Sequence, residues 1–443
     1  MGDCATQETM RFETESALAL EVAFDGGRIT SDGGLLWLSE VDSEMGLCEA
    51  VSECVAEWRT RKGRHSLASL VKQRVFQIAC GYDDQNDSDT LREDPLLKLS
   101  CGSLPESGQD LASQPTICRM ENAATRSSCR RMAEVLLEVY LREREKDGAP
   151  QRVLLDFDAT DDPAHGDQEG SYYHGYYREH IYHPLLVFDG ESGHLICALL
   201  RAGNTHASNS SVAILKRIVS RLRERWPEVH IELRADAGFA VPDIYDYCER
   251  EGITYTIALI TNDRLLEMAE ELLEEAKESY QGTGRKTRLF SEGTYQAASW
   301  EKRRRVVYKA EVMEQGTNRR FLLTTRSDEP KDLYEFYARR GERELDKGLQ
   351  APHKSGSPQL PQVHSQPVQA AVARGGLLAY GHFEKEAHRK RSSSDAARQP
   401  TPSSDQDRWQ GQGTNDEGTP ASGVGASGTR FVARSFGSIR RRS

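Results

Sequence analysis

The sequence predicts an α/β protein, a mixed sheet flanked by helices, with a helical N-terminal domain ahead of it. Three observations predict this. Residues 30–145 break into short helical runs at Gly, Pro and Asn/Asp. From residue 150, β-rich runs alternate with amphipathic helices. Residues 264–330 then insert a Glu-rich helix and further strand-like runs before a last helix.

In the N-terminal part, Leu67–Ala79 and Met132–Leu141 carry helical spacing of apolar residues. The run Ser113–Asn122 opens with an N-cap candidate, Ser113, and a proline in its first turn. Gln114, Thr116 and Arg119 stand where a recognition helix presents polar groups to base edges, although an ordinary capped helix is the plainer alternative. Further on, Val153–Asp158, Ile181–Phe188 and Leu195–Leu200 read as three consecutive antiparallel strands. Val212, Leu215, Val219, Leu222 and Trp226 mark a helix, followed by a strand at Val229–Asp236, a helix at Asp243–Glu251 and a strand at Thr254–Ile260. Three antiparallel strands followed by α, β, α and β is the order of the RNase H-like fold. Arg305–Ala310 and Phe321–Thr325 give the insertion its β character, and a helix starts near Asp332. The expected domains are 1–150, helical; 151–350, RNase H-like with an insertion at 264–330; and a tail at 351–443.

The chain has 443 residues, enough for two or three domains with a core that needs no disulfides. Its nine cysteines lie between Cys4 and Cys248 with irregular gaps and no C-x2-C pair, which excludes a disulfide framework or zinc knuckle and leaves reduced thiols. No run approaches the roughly 18 apolar residues of a membrane span, and the N-terminus lacks a signal-peptide pattern, so a cytoplasmic protein is expected. The net charge of −11 argues at first against nucleic acid. Residues 351–443 carry 13 Lys/Arg against 7 Asp/Glu, however, leaving 45 against 62 before them, so any DNA binding must rest on local stripes. Arg59–Arg64, Lys302–Arg305 and Arg339–Arg343 are such stripes, though each alone reads as a solvated face.

The carboxylates suggest a chemistry. Phosphodiester cleavage needs an activated water and a stabilised leaving oxygen, which two Mg²⁺ ions can supply, and Mg²⁺ asks for carboxylate oxygens. Asp158 ends the first strand in Asp156-Phe157-Asp158-Ala159-Thr160, and Asp236 ends the fourth in Asp236-Ala237-Gly238-Phe239. Neighbouring strands would release both at one edge of the sheet. Alternation puts Asp156 on the same face as Asp158, so it competes, and Asp161 and Asp162 blur the assignment further. In the last helix Tyr337, Arg340 and Glu344 share one face at 100° per residue; there Glu344 could complete a metal site and Arg340 hold a phosphate, or the two could form a surface pair.

The order D-x-T, D-x-G-F, Y-x2-R-x3-E resembles the bacterial insertion-sequence DDE transposases, and closely insertion-sequence family 1380. The similarity also runs through Thr30–Leu36, Gln73–Tyr82, Asp94–Leu99, Ser113–Asn122 and Asp158–Gly166. It implies a DNA transposase, a polynucleotidyl transferase in which Asp158, Asp236 and Glu344 hold two Mg²⁺ (or Mn²⁺) ions while water, then a DNA 3′-hydroxyl, attacks a phosphodiester. It further implies that the helical N-terminal domain binds double-stranded DNA at the element's terminal inverted repeats, that the insertion lines the DNA channel, and that a homodimer holds two ends and target DNA in the bacterial nucleoid. In that channel Trp300 could stack on a displaced base, although a sheet-core tryptophan is the plainer alternative.

The chain departs from the family beyond Glu344. Ala351 stands where the family signature has a lysine, and residues 351–443 are rich in Ser, Gly, Pro, Gln and Arg without sustained periodicity. Family-like helical segments, read from the third base of suitable codons, yield Ser357–Val363 and Pro367–Lys385. The expectation is a frameshift near Glu342–Leu345, with a disordered or out-of-frame tail. Two other readings stay open: a Mg²⁺-dependent nuclease without strand transfer, and a non-catalytic DNA-binding remnant.

Overall fold

The computed structural model describes residues 10–13, 19–22, 30–61, 63–164, 170–175 and 178–346; side chains are described between residues 30 and 340. The predicted tail lies outside the described residues. The chain opens with an antiparallel pair that helical spacing did not announce, β1 (Met10–Glu13) and β2 (Ala19–Val22). Seven helices follow: α1 (Leu35–Met45), α2 (Leu47–Cys54), α3 (Leu67–Ala79), α4 (Asp87–Leu91), α5 (Pro95–Ser100), α6 (Gln114–Asn122) and α7 (Arg126–Glu145).

Local chemistry sets their ends. Gly46, at φ 65°, ends α1 in the left-handed region and lets α2 start at once, while Asp42 Oδ1 accepts the Cys48 N–H at 2.9 Å. Ser66, Asp94 and Thr125 cap α3, α5 and α7 by accepting backbone N–H groups. A buried brace joins α3 to α6: Arg74, 1% exposed, donates to Glu121 at 2.7 Å and to the Asp83 carbonyl at 2.6 Å.

The main sheet has eight strands: β3 (Arg152–Ala159), β7 (Leu185–Asp189), β8 (Leu195–Leu199), β9 (His230–Ala235), β10 (Thr254–Ala258), β11 (Thr287–Tyr295), β12 (Arg304–Met313) and β13 (Gly316–Thr324). Its order is β11-β12-β13-β10-β9-β3-β7-β8. At its centre β9 runs parallel to β3 and β10, while β3, β7 and β8 form an antiparallel meander. This five-strand arrangement is that of the RNase H-like fold, with α8 (Ser211–Arg225) and α9 (Pro242–Arg250) as its crossovers.

One sequence expectation needs correction. The run Ile181–Phe188 is two strands, not one. It divides at His183-Pro184, where proline has no N–H to give a ladder; the segment before it is β6 (Glu179–Tyr182), in a separate small sheet with β4 (Asp162–Pro163) and β5 (Tyr172–His174). The sequence pattern leaves the place of the inserted strands open. β13 pairs antiparallel with β10, Thr256 facing Thr324, so β11–β13 extend the main sheet. Over them lie α10 (Asp263–Met268) and α11 (Glu270–Thr283), with Leu273 and Ala276 against Ala310 and Val312.

Alternation assigns the faces of β3. Val153, Leu155 and Phe157 enter the large core under α8 and α9, which leaves Asp156 and Asp158 on the opposite face. At the β7–β8 end, Leu186 and Leu195 of that opposite face join the core of the N-terminal helices. At the insertion end, Val307 and Leu322 are covered by Leu333 and Tyr334 of α12 (Pro330–Asp346). Asp158 therefore sits between two helical covers. The eight cysteines among the described residues are free thiols, and no described helix is long and apolar enough to cross a membrane.

Candidate active site

β3 and β9 pair in parallel as far as Phe157 and Ala235, so the next residues, Asp158 and Asp236, emerge together at the carboxyl ends of adjoining strands. This is where open α/β sheets generally place ligands. Asp158 is also held from its other side by β7, where it faces Leu186.

Asp236 begins a single 3₁₀ turn, Ala237–Phe239, and its Oδ1 accepts the Gly238 N–H at 2.7 Å. Physical requirements account for the rest of D-x-G-F. A Cβ on Gly238 would stand 2.7 Å from the Ala207 Cβ and 3.0 Å from Asp236 Oδ1. Phe239 is fully buried and meets Phe157 edge to face, with centroids 5.8 Å apart at 84°. Gly238→Ala is accordingly expected to destabilise the fold by about 1–3 kcal/mol through overpacking. An unchanged denaturation midpoint for that variant would contradict the contact.

α12 crosses both strand ends. Tyr337 donates its hydroxyl to the Ala235 carbonyl at 3.4 Å. The Arg340 Nη2 lies 2.8 Å from Asp158 Oδ1 and 3.6 Å from Asp236 Oδ2, so one guanidinium bridges the two carboxylates. Burial raises the Asp236 carboxyl above its ordinary range, and Arg340 opposes that shift. Glu344 lies in α12 one turn beyond Arg340, roughly 6 Å along the axis; its side chain is outside the described residues. Among the described residues no three acidic, histidine or cysteine side chains gather as a metal site.

Asp156 is placed differently. Its two oxygens take Arg234 Nε and Nη2, each at 2.6 Å, and both residues are buried. Arg234 also donates to the Phe336 carbonyl at 2.5 Å, tying the pair to α12. Asp156 is thus a structural counter-ion. Asp162 starts β4 in the small sheet.

Trp300 takes the plainer of its two readings. It is 8% exposed, and its ring meets Tyr245 and Tyr295 edge to face, each at 5.4 Å between centroids, with Arg304 5.4 Å from its centroid. Those contacts make it a core residue, with no free face for a base. Gln114 and Thr116 lie in the first turn of α6 and Arg119 in its last, on the N-terminal helical layer.

Spacing gave no signal for two other residues beside the acids. His183 Nδ1–H donates to the Thr205 carbonyl at 2.7 Å, close enough to Asp236 to influence its carboxyl. Arg201, 7% exposed, donates to the carbonyls of His183, Ala207 and Asn209 at 2.8, 2.7 and 2.9 Å. Burial lowers its pKa to about 10. Arg201 thereby fixes the loop carrying Ala207, which packs on Gly238 next to Asp236.

The donor set suits a hard divalent cation. Two carboxylates project from adjoining strand ends, and a single guanidinium offsets their charge.

No curated protein sequence matches the chain. Among solved structures, the chain is similar to a cryo-EM structure of the piggyBac transposase synaptic complex with hairpin DNA, with a TM-score of 0.42 at 13% identity over 80% of this chain and 75% of that one. The family model for the transposase DDE domain, group 1, matches residues 12–346, from the first strand to the end of α12. That span holds every strand and helix described above except the first two residues of β1, and the chain belongs to the DDE transposase family, whose members are polynucleotidyl transferases.

Proposed function

We propose that this protein is an insertion-sequence transposase of the family 1380 type, acting in the bacterial nucleoid, which binds terminal inverted repeats and cuts and joins DNA. The observation that carries the reading is the emergence of Asp158 and Asp236 at adjoining strand ends, under a helix whose Arg340 bridges them. Glu344 is the third acid of the proposed site.

Asp158, Asp236 and Glu344 would hold two divalent ions, Mg²⁺ or Mn²⁺. When bound, such ions activate the attacking oxygen and stabilise the leaving one. The chain's own residues position the rest. Arg340 faces both carboxylates and is placed to take a non-bridging phosphate oxygen of the scissile group. Tyr337 pins α12 to the end of β9, and Arg201 holds the adjoining loop. This rigidity keeps the reacting groups in line, the main service a protein offers to phosphoryl transfer. Synapsis of two ends calls for a homodimer.

The test is cleavage of DNA carrying the element's own ends, against DNA with scrambled ends, in Mg²⁺ and in chelator. Metal-dependent cutting at the authentic ends is expected. Equal cutting of both DNAs would favour a general nuclease.

One set of observations favours a second reading, a DNA-binding remnant. The family match stops at residue 346, Ala351 replaces the family's lysine, and the composition changes beyond it. The nucleotide sequence from codon 330 onward separates the two: a family-like helical continuation restored by one small insertion or deletion supports the remnant, and a single undisturbed frame removes it.

A further inference from the structure

A cavity of about 330 Å³ opens beside α6, lined by Trp58, Arg59, Arg64, His65, Arg92 and Arg119 among others, with no carboxylate in its lining. Elsewhere most buried arginines among the described residues face acids: Arg74 faces Glu121, Arg234 faces Asp156 and Arg304 faces Glu249, while Arg201 is held by carbonyls. Arg59 forms a fixed wall. It is bound to Glu57 by Nε and Nη2 at 2.7 and 2.6 Å, to the His65 carbonyl at 2.6 Å, and lies 5.1 Å from the Trp58 ring centroid.

The other three guanidiniums are less well compensated. Among the described residues, Arg64 and Arg119 have no carboxylate at ion-pair distance. Arg92 reaches only Glu93, at 3.8 Å, and its Nε is shielded from solvent without an acceptor. A shielded donor without an acceptor costs stability, and an anion in the cavity would remove that cost. The first turn of α6 is already served by Asp89, whose Oδ1 accepts the Gln114 N–H at 3.0 Å. The arginines, not the helix end, therefore define the site. Burial, then Arg64 and Arg59, depress the His65 pKa.

We propose that this cavity takes a phosphate group of the DNA backbone, held by Arg64, Arg92 and Arg119, with Trp58 against the adjoining sugar. The proposal rests on the transposase reading and changes one part of it: Arg119, at the mouth of the cavity, grips the backbone and does not read a base. The grip is sequence-independent and sets where the helical layer sits on the duplex.

The test is metal-free binding of the full chain to two labelled duplexes, one with the element's ends and one scrambled, over a series of salt concentrations. Arg64→Ala and Arg119→Ala remove no ion pair; Lys331→Ala, at an exposed position on α12, is the control. Each arginine variant is expected to weaken both duplexes by the same factor, roughly tenfold at low salt, and to lower the salt slope by about 1. The control should bind like wild type. In the same assay, inorganic phosphate should compete with DNA more strongly than chloride at equal ionic strength, and lose that advantage in Arg119→Ala. Unchanged affinity and slope, a loss confined to one duplex, or phosphate binding with no effect of the substitutions on DNA would each overturn the proposal. Cutting separates the two readings. A wild-type chain that binds both duplexes but cuts neither sinks the transposase reading alone, and variants that bind like wild type while cutting persists sink the pocket alone.

Discussion

Asp156→Ala is expected to lower the stability of the fold by about 3–5 kcal/mol, because it leaves the Arg234 guanidinium, 1% exposed, buried without its counter-ion. Stability of a domain is only about 5–15 kcal/mol in all, so the variant should approach unfolding. The loss should spread to α12, since Arg234 also holds the Phe336 carbonyl and lies 5.0 Å from the Phe336 ring. Urea denaturation measures the effect. The double variant Asp156→Leu, Arg234→Met should recover most of it, as replacing both members of a buried pair usually does. A single variant as stable as wild type would contradict the structural role and return Asp156 to the candidate acids.

Asp158→Asn should behave in the opposite way. Its side chain is only 13% exposed, but its partner Arg340 also faces Asp236, so the guanidinium keeps a counter-ion when Asp158 loses its charge. The fold should survive with DNA binding kept or slightly strengthened, as one negative charge is removed near the substrate. Metal-dependent cutting should fall by about a thousandfold or more, the scale on which removing one preorganised electrostatic group acts. Single-turnover cutting beside a binding isotherm reads the two effects apart. Cutting at the wild-type rate would remove Asp158 from the site.

The sheet was legible because its central strands are short apolar runs separated by crossover helices, and the motif acids fall at strand ends. Parallel register from Arg152↔His230 onward then carries Asp158 and Asp236 to one edge. Alternation could not separate Asp156 from Asp158, since both project from the same face. Only Arg234, 78 residues away and facing Asp156 on the next strand, distinguishes them. Trp300 beside a basic run suggested stacking, yet its neighbours Arg304 and Tyr245 come from different elements and close around it. Part of what made the strings around the acids recognisable proves structural: Arg74 braces Glu121, Asp94 caps α5, and Gly238 admits Ala207. The basic cavity was illegible because Arg64, Arg92 and Arg119 come from three separate stretches of chain.

The most direct test of the central claim is a strand-transfer reaction: full-length chain, Mg²⁺, donor DNA with the element's ends exposing a 3′-hydroxyl, and target plasmid, with joined products sequenced. Wild-type protein is predicted to join donor ends to target, and Asp158→Asn and Asp236→Asn to form no joined product while still binding the ends. Joined products from either variant at wild-type levels, or none from a wild-type chain that binds the ends, would contradict the account.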